Sequence, residues 1–75
     1  MMALKDLRIT ATARGYRVEN ADNGELLGWV RADGATWRVF DHRNEEVGAG
    51  FVNRSDAALH LTGVHAYRFI AKVFS

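Results

Sequence analysis

Two stretches of this chain are written on one pattern. Tyr16 to Gly28 runs Tyr-Arg-Val-Glu-Asn-Ala-Asp-Asn-Gly-Glu-Leu-Leu-Gly, and Trp37 to Gly48 runs Trp-Arg-Val-Phe-Asp-His-Arg-Asn-Glu-Glu-Val-Gly. Each opens aromatic, charged, aliphatic, passes through a polar run and returns on an aliphatic residue. Alternation with period two on both sides of a polar run is the pattern of a strand, a turn and a strand. A chain that repeats it is constrained to a small antiparallel sheet.

Asn23-Gly24 sits at the centre of the first unit, and Asn-Gly is the preferred pair for a two-residue type I′ turn because both residues tolerate positive φ. Such a turn pairs Asp22 with Glu25, Asn20 with Leu27, Val18 with Trp29 and Tyr16 with Arg31. Cross-strand partners share a face, so Tyr16, Val18, Leu27 and Trp29 are expected in the core. Arg17, Glu19, Leu26, Gly28 and Val30 then fall on the opposite side. A three-residue loop, Ala32-Asp33-Gly34, would keep both tryptophans on the core face and set Trp37 and Val39 beside Trp29 and Leu27. The return strand of the second unit spans Glu46 to Val52 with Val47, Ala49 and Phe51 inward; Gly48 and Gly50 between them signal a bulge or a close approach of another backbone. No carboxylate falls in a stretch expected to be buried.

Asn53-Arg-Ser-Asp56 reads as a helix start, with Asn or Ser as cap and Asp56 near the positive end of the helix dipole. Ala57, Ala58, Leu59 and Leu61 follow, and Gly63 is expected to end this helix. Beyond it, Ala66, Phe69, Ile70, Val73 and Phe74 recur at helical spacing opposite His65, Arg68 and Lys72, which suggests a second helix. The same stretch alternates Tyr67, Phe69, Ala71, Val73, as a strand would. Residues 8–13 could extend the first strand. The expected fold is therefore a single α+β domain over residues 1–75: a three- to four-stranded antiparallel meander packed on one helix, with a second helix at the C-terminus.

The 75 residues contain no cysteine and carry a formal charge of +1. So small a chain has a thin core, and without thiols it has neither disulfides nor a thiolate zinc site to reinforce it. Met1-Met-Ala-Leu-Lys-Asp6 meets charge too soon for a signal peptide, and no apolar run approaches a spanning helix; a cytoplasmic protein without membrane contact is expected. His60 and His65 are five apart, which does not stack them on one helical face as a zinc helix requires. Ser55 reads as a cap. With no acid-base or nucleophile pair, the chain is expected to be no enzyme and to use neither metal nor cofactor.

The face left over by the core assignment carries Leu26, Val30 and Phe40 with Arg17 and Arg38 beside them; Arg17, Val30, Arg38 and Phe40 are the candidate binding residues there, and Arg31 joins them through the first resemblance given below. Apolar groups ringed by arginine suit a docking surface, unless the C-terminal segment covers them. Three strands followed by Phe51-Val-Asn-Arg-Ser-Asp-Ala-Ala58 resemble the AP2-type and integrase arm-binding domains, whose sheet lies in the major groove. That resemblance implies DNA contact by Arg17, Arg38 and Arg31. Ala57 to Lys72, with Gly63 as the turn, looks like a helix-turn-helix, although Leu59 falls where a small residue belongs. Arg17 to Gly28 is similar to a hairpin of small phage-encoded anti-CRISPR proteins. This last likeness implies a compact inhibitor that occupies a partner's surface. The balanced charge favours a protein partner over nucleic acid, and a homodimer formed through the same face is the further alternative.

Overall fold

The computed structural model describes residues 2–74, and of residues 68–74 the backbone alone. A 3-10 turn at Leu4–Asp6 leads into five strands, β1 (Leu7–Thr12), β2 (Gly15–Asn20), β3 (Leu26–Asp33), β4 (Thr36–Asp41) and β5 (Glu46–Phe51), followed by one helix, α1 (Arg54–Phe74). All neighbouring strands are antiparallel and lie in chain order, β1-β2-β3-β4-β5. The architecture is α+β, with the helix laid across one face. The meander has one strand more than the upper expectation, because residues 7–12 pair as an independent edge strand.

The helix is continuous where two were expected. Asn53 caps it, its Oδ1 accepting the Asp56 amide at 2.8 Å. Gly63 is exposed inside the helix and does not end it. A helical glycine costs only about 1 kcal/mol relative to alanine, and the residues before it are pinned by packing: Ala57, Ala58 and Leu61 are fully buried. The helix-turn-helix reading falls with it. The apolar side chains expected at Phe69, Ile70, Val73 and Phe74 lie outside the described residues.

The repeat survives in three dimensions. Tyr16 and Trp37 both face the helix, with ring centroids 5.9 Å apart; Arg17 and Arg38 both face away; Val18 and Val39 both face the helix and are fully buried. Val18 stands opposite Gly28 and Val39 opposite Gly48, each beside a register shift.

Within the first unit the expected register is wrong. The Asn20 amide donates to the Glu25 carbonyl at 2.8 Å, so the loop holds four residues, Ala21 to Gly24, rather than two. Asn20 Oδ1 accepts the Asp22 amide and Asn23 Oδ1 the Glu25 amide, each at 2.9 Å. Only Gly24 takes positive φ there, whereas a type I′ turn needs it at both central residues. A bulge then places Leu27 as an extra residue between Leu26, opposite Glu19, and Gly28, opposite Val18. Leu27 and Val30, three apart, both reach the core as a result. Trp29 moves to the other face, opposite Arg17 and Phe40. The β3–β4 loop is Gly34-Ala35, since Asp33 pairs with Thr36, and Gly34 at φ 60° gives the backbone of a type II′ turn.

The core comprises Leu7, Val18, Leu27, Val30, Val39, Ala57, Ala58 and Leu61, with Met2, Ile9, Tyr16, Trp37, Val47 and Phe51 partly buried around it. Asp41 is buried as well, contrary to expectation; its Oδ1 accepts the amides of Arg43 and Glu45 at 2.9 Å and closes the β4–β5 turn. Among the described residues no helix is long and apolar enough to cross a membrane.

Candidate docking face

Period-two alternation sends Arg8, Thr10, Arg17, Glu19, Trp29, Arg31, Asp33, Arg38 and Phe40 to the side of the sheet opposite α1, and no described element lies over them. Of the five residues expected to bind, Arg17, Arg31, Arg38 and Phe40 are brought together here. Val30 is not: it is fully buried under the helix. The loop and bulge that moved Trp29 outward moved Val30 inward. Trp29 and Phe40 are directly opposed on the two inner strands β3 and β4, with Arg17 flanking Trp29 on β2.

Arg31 and Arg38 are also cross-strand partners, an arrangement in which like charges repel. They diverge. Arg38 Nε lies 2.7 Å from Asp33 Oδ2 and its terminal nitrogen 2.7 Å from Glu46 Oε1. Hydrogen bonds to Asp33 and then Glu46 hold its guanidinium still further above the usual arginine range. Arg31 instead lies across Phe40, its Cζ 4.3 Å from the ring centroid, and donates to Asn44 Oδ1 at 2.8 Å. Its Nε is buried without a hydrogen-bond partner. On β1 and β2, Arg8 and Arg17 share Glu19 at 3.8 and 3.5 Å. Three of the four arginines on the face are thus charge-paired, and Arg31 has no carboxylate beside it among the described residues.

Next to Arg31 the surface sinks into an open depression of about 420 Å³ lined by Thr12, Ala13, Arg14, Trp29, Arg31 and Asn44. Its ionic lining is entirely cationic. Trp29, Arg14 and Asn44 were missed in the sequence; a glycine inside a strand, Gly28, was the signal that a bulge would turn its neighbours over. The helix histidines take part in internal contacts, His60 with the Val47 carbonyl at 2.9 Å and His65 with Glu25 at 3.5 Å. Among the described residues no cluster of metal-ligating side chains occurs. No protein family, curated protein or solved structure matches the chain.

Proposed function

We propose that the chain is a non-catalytic binding module that docks on a protein partner through the open face of its sheet and blocks the surface it covers. The observation that carries this reading is the opposed pair Trp29 and Phe40, half-buried at the centre of the open face with Arg31 lying across Phe40 and Arg17 and Arg38 beside them. Tryptophan and arginine are the residues that most often dominate interface energetics once water is excluded. The cationic lining around Arg14 and Arg31 suits an acidic side chain of the partner, because an arginine already fixed in place loses little freedom on pairing with a carboxylate.

Pairing of Arg8, Arg17 and Arg38 with carboxylates argues against phosphate-driven binding. The co-facial arginines keep sheet-type DNA binding as the second reading. Trp29→Ala combined with Arg38→Ala should abolish retention of the partner on immobilised protein while the far-ultraviolet circular dichroism stays unchanged. Equal retention by the variant overturns the docking reading. A low-salt gel shift with random duplex separates the two, since affinity that falls steeply with salt would replace the protein partner with DNA.

A further inference from the structure

The sheet ends in two edge strands, β1 and β5, and they are built differently. β5 pairs with β4 through two register shifts and carries Gly48 and Gly50, the latter at φ 80°; bulges and glycines of this kind blunt an edge against further pairing. β1 pairs with β2 over all six residues without a shift, and Leu-Arg-Ile-Thr-Ala-Thr contains neither glycine nor proline. Its one charge, Arg8, is directed to Glu19 on the neighbouring strand. The edge therefore lacks the usual protections.

We propose that two copies of the chain pair antiparallel through β1 about a two-fold axis at Ile9, joining two meanders into one continuous sheet. The register follows from the ladder. The Asp6 carbonyl accepts the Ala21 amide at 2.8 Å, so alternate residues Asp6, Arg8, Thr10 and Thr12 turn their main-chain groups toward β2. Leu7, Ile9 and Ala11 turn theirs outward. Outward groups must meet outward groups of the second copy. An axis at Arg8 sets two guanidiniums face to face, which is unfavourable. An axis at Thr10 leaves Leu7 opposite the turn residue Ala13 of the other copy.

The axis at Ile9 pairs Ile9 with itself and Leu7 with Ala11 in both directions, forming about six inter-strand hydrogen bonds. Arg8 then stands opposite the neutral Thr10 of the other copy. On the helix side, partly buried Ile9 and exposed Ala11 continue into their counterparts as one apolar strip. The surface is self-complementary, as an isologous dimer requires. The open faces of the two copies become neighbours, but the inference does not rest on the docking reading.

Sedimentation of the full chain from low micromolar to near-millimolar concentration should show the mass rising from 8.4 kDa toward twice that value. Thr10→Arg places like charges opposite Arg8 of the second copy and should weaken the dimer about tenfold, whereas Thr10→Glu should tighten it by a similar factor. In the wild type, exchange of the Leu7, Ile9 and Ala11 amides should slow as concentration rises. A monomer at every concentration overturns the proposal, as do equal affinities for the two variants or a dimer abolished by Trp29→Ala, which would assign it to the open face.

Discussion

The hairpins β2–β3 and β4–β5 are two castings of one pattern, and they differ in what occupies the space over the glycine of the return strand. In both, an aromatic residue and a valine face the helix, an arginine faces away, and the valine meets a glycine beside a bulge. A side chain on Gly28 would collide with the Phe40 carbonyl and crowd a Leu61 methyl. One on Gly48 would meet only side chains, the rings of His60 at 3.0 Å and Phe51 at 3.1 Å. The same glycine is thus fixed by backbone in the interior copy and by adjustable side chains in the copy at the edge. Position in the sheet, rather than the repeated pattern, decides how much each residue matters.

That difference can be broken by mutation. Leu61→Ala, which empties the fully buried site over the interior copy, should cost about 2–5 kcal/mol in urea unfolding. Gly28→Ala should cost about 1–3 kcal/mol, since neither the Phe40 carbonyl nor the bulge can yield without disturbing the ladder. Gly48→Ala should cost less than about 1 kcal/mol, because the His60 ring can turn aside and lose little more than its bond to the Val47 carbonyl. Equal costs at Gly28 and Gly48 would erase the distinction between the copies, and a small effect at Leu61 would place the core elsewhere.

Much of this fold was legible in the chain. Alternation around Tyr16, Val18, Trp37 and Val39 placed four inward residues correctly, Asn53 announced the helix, and the paired glycines of β5 announced a bulge. What failed was local. Asn20 and Asn23 use their side-chain oxygens to hold a four-residue loop, a choice the Asn-Gly pair alone does not reveal, and the slip it introduces exchanges Trp29 with Val30. Gly28 carried the same signal as Gly48 and was read as a bystander. Gly63 looked like a stop because propensity was weighed without the buried contacts of Ala57, Ala58 and Leu61 that override it. Asp41 is invisible as a buried carboxylate until its turn partners, Arg43 and Glu45, are in place. On the docking face, Arg17, Arg38 and Phe40 followed from simple alternation, whereas the reach of Arg31 over Phe40 to Asn44 joins residues on different elements and has no spacing signature.

Strand order equal to chain order, with the helix last, has a consequence for assembly. Every hairpin closes between neighbours in the chain, so the sheet can be laid down in sequence at little loop-closure cost. Its inner valines, however, stay wet until the segment carrying Ala57, Ala58 and Leu61 arrives. On a ribosome, the half-made sheet would spend the interval as a sticky intermediate, and the first turns of the helix would be the ones that end that exposure.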